Sequence, residues 1–324
     1  MEQLLTGLRA AAEPTRLRIL ALCLRGELTA GELTRILGQS QPRVSRHLKL
    51  LCEAGLLERF QEGTWAFFLI PPIGPNSELV RTLVGQIPED DATIRRDLRR
   101  LTVIKDERAA RAKSYFGENA ASWDHIRALH VDEAVVEQAL VALLPQERVK
   151  HLLDIGTGTG RVLQLLERHV DHGLGLDLSR EMLTVARANL ADPRFAHCTL
   201  RQADMYQLPV AEGSFDLIVL HMVLHFSDRP ADVIAEAARA LAPGGHFLIV
   251  DFAPHSMEEL RAEHAHRRLG FARDEVEAWC LDNGLDVIEV RDLDGDPLTV
   301  SIWKTRRPAA IGRSRPPSDA QNAA

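Results

Sequence analysis

At 324 residues, 45% of them hydrophobic, the chain can bury more than one core and has room for two domains and a tail. Aromatic residues make up 5%, so those cores must be built mainly from Leu, Val, Ile and Ala. The formal net charge of -7 argues against nucleic-acid binding through overall charge, but not against a local basic surface.

Four cysteines (Cys23, Cys52, Cys198, Cys280) lie far apart in apolar contexts, with no CxxC or Cys/His pairing. They read as free, buried thiols in a reducing compartment. The first residues carry no basic-then-apolar leader, and no apolar run approaches the ~18 residues of a membrane span. A soluble, cytoplasmic chain without membrane contact is expected.

Short helices come first. Glu13-Pro14-Thr15 opens a helix with Leu17, Leu20, Ala21 and Leu24 as its apolar positions. Thr29 begins a second, with Leu33, Ile36 and Leu37 on one face and Gly38 at its end. Ser40 caps a third, holding Val44, Leu48 and Leu51 and closing at Gly55. Two strands follow, 56–60 and 65–70, joined by Gln61-Glu62-Gly63-Thr64. The stretch from Ser40 to Leu51 carries Arg43, Arg46 and Lys49 and no acid. Gln41, Arg43, Ser45 and Arg46 crowd the first half of this helix, where groove-reading side chains sit. Arg can pair with guanine edges and Gln with adenine, while Lys49 and Arg59 suit phosphates.

The runs Pro14–Leu20, Ser40–Leu51 and Glu53–Leu57, with the hairpin, resemble the ArsR/SmtB winged-helix regulators over about 8–70. The resemblance implies that the 40–54 helix enters the major groove of operator DNA, with Ser40, Gln41, Arg43, Ser45, Arg46, Lys49 and Arg59 at the contact, and that the chain is a homodimer. Metal-sensing members carry cysteines where this chain has Thr29-Ala30-Gly31-Glu32-Leu33. No metal is expected, and a fused second domain becomes the candidate effector site.

Pro71-Pro72-Ile73-Gly74-Pro75-Asn76 marks a boundary. From Ser77 to Pro145 the reading is helical throughout, with apolar stripes at Ile94, Leu98, Leu101 and at Val136, Leu140, Leu143, Leu144. The first stripe is a candidate dimer surface, and the helix opened by Glu13-Pro14-Thr15 is another. A second basic run spans Arg95, Arg96, Arg99, Arg100, Lys105, Arg108, Arg111 and Lys113. With little Gly or Ser, this segment can transmit position between the two halves.

Strands and helices then alternate, with strands at 149–155, 172–178, 197–203, 215–221, 246–252, 286–292 and 298–304. Such alternation implies a parallel-type sheet covered by helices on both faces, with an antiparallel hairpin from the last pair. The expected layout is an α/β chain: a winged helix-turn-helix over 1–75, a helical linker over 76–145, a Rossmann-like seven-stranded domain over 146–305, and a disordered Pro-rich tail over 306–324.

Asp154-Ile155-Gly156-Thr157-Gly158-Thr159-Gly160 joins an apolar strand to a helix. Glycines let the backbone turn sharply, and the N–H groups of the following helix can meet a ligand. Dinucleotide-binding domains share such a loop, so three more features decide. Asp177 ends the second strand, where a carboxylate can accept ribose hydroxyls. Asp204-Met205 ends the third, placing an acid and an apolar wall for adenine. Leu241-Ala242-Pro243-Gly244-Gly245 turns the chain before the fifth. Together these resemble the class I, UbiE-like S-adenosylmethionine-dependent methyltransferases over about 149–304. The resemblance implies S-adenosylmethionine as cofactor, with Asp154, Gly156, Thr157, Gly158 and Gly160 at its methionine end, Asp177 and Leu178 at the ribose, Asp204 and Met205 at the adenine, and His221 alongside.

The acceptor side is open to two readings. His221 and His225 can take a proton from an acceptor hydroxyl or amine, or His221 can simply pack beside the cofactor. His255, His264 and His266 fall in or near a charged segment, Ser256–Arg268, that can cover the pocket. A solvated helical face explains His264-x-His266 as well as a metal does. No Asn/Asp-Pro-Pro-Tyr signature follows the fourth strand, so DNA base methylation is not indicated. Cys198 and Cys280 match poorly the several thiols that arsenic methylation needs. The favoured function is a transcriptional regulator with a working small-molecule methyltransferase domain, the cofactor or its demethylated product serving as effector. The alternative is a catalytically inactive cofactor sensor.

Overall fold

The computed structural model describes residues 1–26, 28–62, 65–71, 75–119, 132–295 and 297–309. The hairpin turn at 63–64, the Pro/Gly break at 72–74, the middle of the helical segment at 120–131 and the tail at 310–324 lie outside the described residues.

Helix ends shape the N-terminal module. α1 (Glu2–Ala11), with no counterpart in the sequence reading of the module, precedes α2 (Pro14–Cys23). The Glu13 side chain accepts the Arg16 N–H at 2.8 Å, and Pro14 occupies the first turn of α2. A short strand, β1 (Leu28–Thr29), leads into α3 (Ala30–Leu37). Thr29 and Glu32 form a capping box there, and Gly38 ends the helix at φ 65°. α4 (Gln41–Glu53) follows Ser40, whose side chain makes no cap bond, so Ser40 marks the helix start by position alone. β2 (Glu58–Glu62) and β3 (Trp65–Leu69) form the wing, with β1 on the other side of β3. Val44, Leu48 and Leu51 of α4 turn inward onto Ile19, Leu20, Leu33 and Ile36.

The helical segment is interrupted. α5 (Pro75–Gly85) stops before a non-helical stretch holding Pro88, and α6 (Ala92–Asn119) restarts with Asp91 capping Thr93 and Ile94. α6 lies along α2 and α3. Leu101 and Ile104 enter the N-terminal core and Leu98 packs against it, so Leu98 and Leu101 of the stripe are spent within the chain. The basic run is partly spent as well. Arg100 donates to the Ile36 carbonyl at 2.8 Å and Lys105 to the Arg25 carbonyl at 2.7 Å, at the ends of α3 and α2. Arg18 grips the buried Asp97 with two bonds, at 2.5 and 2.9 Å.

The second domain is a seven-stranded sheet. Its strands are β4 (Val149–Ile155), β5 (Val170–Asp177), β6 (Cys198–Gln202), β7 (Phe215–His221), β8 (Leu241–Phe252), β9 (Asp286–Leu293) and β10 (Val300–Arg306). The spatial order is β6-β5-β4-β7-β8-β10-β9. β10 runs antiparallel to both neighbours and the remaining pairs are parallel. The central strands are buried on both faces, as their unbroken apolar runs require. Leu217 and Val219 of β7 face α7 (Glu133–Ala142) and α8 (Arg161–Leu166). Ile218 and Leu220 face α10 (Pro230–Ala240) and α12 (Arg273–Asp282). Val136, Leu140 and Leu143 thus belong to the core of the sheet domain. α9 (Arg180–Asn189) follows β5, and a five-residue α11 (Glu259–Glu263) lies between β8 and α12. The start of the expected tail is ordered: Arg307 exchanges backbone bonds with Gly244 and Gly245, and its guanidinium meets the Leu241 carbonyl at 2.6 Å. Among the described residues no helix is long and apolar enough to cross a membrane.

The two domains touch at the wing. Phe68 of β3 enters the N-terminal core, whereas Phe67 points the opposite way and is still fully buried. Two arginines of the sheet domain cover it, Arg267 at 4.7 Å and Arg261 at 5.6 Å from the ring centre.

Asp97→Ala should leave the Arg18 guanidinium without its buried partner and cost about 3 kcal/mol. Chemical denaturation of the full chain would measure this, and a loss below about 0.5 kcal/mol would mean that α6 is not held to the module through this pair.

Candidate functional site

Parallel pairing brings the singled-out residues of the sheet domain to one edge. Ile155 pairs with Leu176 on one side and Leu220 on the other, Asp177 with Gln202, and His221 with Val250. The turn after β4, Asp177, Leu178, Asp204, Met205 and His221 therefore meet at the carboxyl ends of adjacent strands. Ligands of open α/β sheets bind at this edge.

The glycine turn is tightly made. Gly156, Gly158 and Gly160 have φ of 71°, 53° and 83°, a region that side chains with a Cβ disfavour. A Cβ on Gly156 would lie 2.5 Å from Val223, so Val223 packs directly on the glycine backbone. The N–H groups of Gly156 and Thr157 both bond the Leu176 carbonyl, at 2.8 Å each. Gly158 donates to the Asp177 carboxylate at 2.9 Å, and Gly160 to the Thr157 carbonyl at 2.8 Å. These bonds hold the turn in shape. Asp154 is buried behind it, accepting the Thr157 hydroxyl at 2.6 Å.

Asp177 also accepts the Ser179 N–H at 2.8 Å. Burial pushes its carboxyl above the usual range, with the N–H groups of Ser179, Gly158 and Leu178 pulling the other way. A carboxylate has about four lone-pair sites, so acceptor capacity remains for a diol. Leu178, 61% exposed beside it, and half-buried Met205 supply apolar surface. Exposed Asp204 accepts the Tyr206 N–H at 2.9 Å. A carboxylate for hydroxyls, a second acid two residues past the strand partner of the first, and apolar walls form a donor set that fits a nucleoside.

Past β7 the chain is strained. Met222 has φ 57°, which a non-glycine residue adopts at a cost, and such positions cluster at functional sites. His221 is half-buried at the strand end. His225 is buried, and its Nδ1 lies 2.8 Å from Asp251 Oδ1. The Asp251 carboxylate also accepts the backbone N–H groups of His225 (3.2 Å) and Phe252 (2.8 Å). His266 stacks on the His225 ring, with centroids 4.1 Å apart. Asp251 was not among the sequence candidates. Its signal was an acid within the apolar run Phe247–Phe252, near the strand end, as Asp177 is. The charged segment 256–268 sends Arg261 and Arg267 to the wing. The thiols stand apart from this chemistry: burial holds Cys198 up at about 11 and Cys280 at about 12, both protonated.

In the N-terminal module, α4 divides cleanly. Ser40, Gln41, Arg43, Ser45, Arg46 and Lys49 are exposed, while Val44, Leu48 and Leu51 are buried. Arg59, on the wing, is exposed as well and bonds Gln61 at 3.0 Å.

Two protein families match the chain. The one described as "Methyltransferase domain" covers residues 153–249, and "Bacterial regulatory protein, arsR family" covers 13–59. A malonyl-[acyl-carrier protein] O-methyltransferase of Geobacter sulfurreducens is 32% identical over 200 residues, 57% of this chain and 73% of that protein. The enzyme of the same name from Marinomonas sp. is 30% identical over 189 residues, 55% of this chain and 67% of its own. The chain belongs to the S-adenosylmethionine-dependent methyltransferases and carries an ArsR-type DNA-binding domain. Some curated relatives are matched over less of their length, 47% and 30%. A methyltransferase chain solved in a complex with the Haloferax volcanii Trm112 activator superposes with a TM-score of 0.50 at 23% identity. It covers 60% of this chain and 97% of its own, and it shows the same fold.

Gly156→Ala combines a disfavoured φ with a collision against Val223 and should cost about 2 kcal/mol or more. Thermal unfolding and calorimetry with S-adenosylmethionine would read it, with both stability and binding expected to fall. A variant that keeps both would show that the turn tolerates a side chain.

Proposed function

We propose that the chain is a homodimeric transcriptional regulator that reads operator DNA with α4 and transfers a methyl group to a small molecule. The separation of α4 into a buried apolar face and an exposed Gln41/Arg43/Ser45/Arg46 face is the observation that carries the DNA-binding half. Lys49 and Arg59 flank that face as phosphate contacts. The dimer reading draws on α1, where Leu4, Leu5 and Leu8 are exposed large apolar side chains. A two-fold pair of such modules reads half-sites about one helical turn apart, ~34–36 Å.

In the methyltransferase domain, Asp177 takes the ribose hydroxyls with Leu178 at its side, and Asp204 and Met205 flank the adenine. Asp154, Gly156, Thr157, Gly158 and Gly160 shape the methionine end, and His221 borders it. Bound S-adenosylmethionine supplies an electrophilic methyl on a sulfonium. The protein's part is to align an acceptor and, where the acceptor carries O–H or N–H, to remove its proton. His225 fits that task better than His221. Its Nδ1 is committed to Asp251, which fixes the tautomer and leaves Nε2 as the proton-accepting nitrogen. Asp251 acts through His225 as a positioning residue.

Three outcomes are expected. Asp177→Ala should weaken S-adenosylmethionine binding about ten-fold, since a charge-assisted hydrogen bond contributes about 1.5–3 kcal/mol. Unchanged calorimetric affinity in a folded variant would remove Asp177 from the site. Arg43→Ala should weaken binding to a genomic duplex selected by the full chain by about 1–3 kcal/mol, relaxing specificity at one base pair. Equal affinity of the wild-type chain for selected and random duplex would refute operator reading. With acceptors found by a screen using radiolabelled donor, His225→Ala should lower turnover ~100-fold or more at unchanged cofactor affinity. Asp251→Asn should act in the same direction and move the pH profile of turnover, and full turnover in both variants would exclude the pair.

A further inference from the structure

Arg267 lies in the methyltransferase domain, is almost buried, and touches both domains. Its backbone N–H donates to the His225 carbonyl at 2.8 Å, and that of Arg268 joins it at 3.0 Å. Its guanidinium pairs with Asp228, three residues beyond His225, at 3.0 Å. The same group reaches across to Glu32 at 3.7 Å and covers the Phe67 ring at 4.7 Å. Glu32 is the acid of the α3 capping box and accepts the Thr29 N–H at 2.9 Å. Thr29 pairs with Phe67 across the wing sheet. Arg267 therefore holds the start of α3, which packs on α4, and the central strand of the wing.

The other end of this contact chain lies at the cofactor turn. Val223 sits against the Gly156 backbone, two residues before His225. Val223 thus joins the turn at Gly156 to His225, whose carbonyl holds Arg267. Two residues beside this path are held in left-handed backbone without glycine, Met222 and Ala265, both at φ 57°. Such strain clusters at functional sites and switch segments. The excursion that carries Arg267 is fixed at its base as well as at Arg267 itself. His255 donates to the Leu269 carbonyl at 3.0 Å and Phe271 to the Phe252 carbonyl at 2.9 Å. A Cβ on Gly270 would lie 2.1 Å from the Ala253 oxygen, which closes that base to any other residue.

We propose that this relay, Gly156–Val223–His225–Arg267–Phe67, carries the ligand state of the methyltransferase domain to the DNA-binding module, with Arg267 as the coupling residue. The proposal rests on the reading that the one domain binds S-adenosylmethionine and the other DNA, and it names how each would regulate the other. Its route differs from transmission through the helices preceding β4, because it enters the module at the wing. Linkage requires that cofactor and DNA alter each other's affinity by the same factor, typically about 5–150-fold.

The test is hydrogen–deuterium exchange of the full-length chain, read at residues 65–69, with and without saturating S-adenosylhomocysteine. Wild type is compared with R267Q and with F67L, which removes the ring and leaves the arginine and its acids in place. Without ligand, both variants should exchange these amides at least ten-fold faster than wild type. Bound S-adenosylhomocysteine should change the wild-type rate about five-fold or more and either variant's by less than two-fold. Equal wing protection in wild type and both variants overturns the relay whatever the ligand does. A wild-type wing indifferent to calorimetrically proven S-adenosylhomocysteine overturns it too. Absence of S-adenosylhomocysteine binding to wild type would instead defeat the cofactor reading, and wing protection in the ligand-free variants would still decide whether Arg267 holds the wing.

Discussion

The carbonyl of Leu176 accepts two N–H groups at 2.8 Å, from Gly156 and Thr157, and the geometry of the candidate site follows from that fastening. It ties the turn after β4 to the last residues of β5. Asp177, the next residue along, is thereby brought within 2.9 Å of the Gly158 N–H. The carboxylate is desolvated there, which pushes its pKa up, and the surrounding N–H groups partly offset the effect. A site of this kind is organised before any ligand arrives. The N–H groups of Gly156, Thr157, Gly158 and Gly160 are already used, and the Asp177 carboxylate keeps residual acceptor capacity.

Legibility in the sequence followed the physics of each feature. Parallel strands buried on both faces leave continuous apolar runs, so β4 and β7 were placed to the residue. β8 begins at Leu241, five residues before its expected start, because Ala242-Pro243-Gly244-Gly245 lies within an irregular strand whose pairing shifts between Phe215 and Leu217. α3 and α4 carried cap and breaker residues and were legible for that reason. β1 spans two residues, too short for any periodicity to show. At the site, strand-end acids could be read where a glycine loop or a turn flanked them. Asp251 could not, because its role depends on His225, twenty-six residues earlier and on a different strand end. Roles that come from pairing across the sheet leave no mark in local spacing.

The same holds more strongly between domains. Phe67 and Phe68 are adjacent, equally apolar and both buried, yet one builds the N-terminal core and the other meets arginines from the methyltransferase domain. Strand alternation predicts that they face opposite sides, but not what covers the outer side. Arg261 and Arg267 sit in the charged segment 256–268, which reads from the sequence as a cover for the pocket. Their side chains are 4% and 8% exposed. A cation is costly to bury unless paired, and Arg267 has Asp228 on one side and Glu32 on the other to meet that cost. A planar guanidinium also lies well over an aromatic ring, which a lysine ammonium would do less well.

The two roles proposed for His225 use different atoms. Its ring is held by Asp251, while its carbonyl is held by the N–H groups of Arg267 and Arg268. Replacing the side chain therefore removes the proposed base and keeps the backbone link to the wing. Replacing Arg267 does the reverse, because the ring remains on Asp251. The proposed chemistry and the proposed coupling would share one residue without sharing one functional group, so each could be altered with the other left in place. The turn after β4, His225 and a wing strand are thus joined by short contacts, and an enzyme domain fused to a DNA-binding module needs such a connection if the state of one is to bias the other.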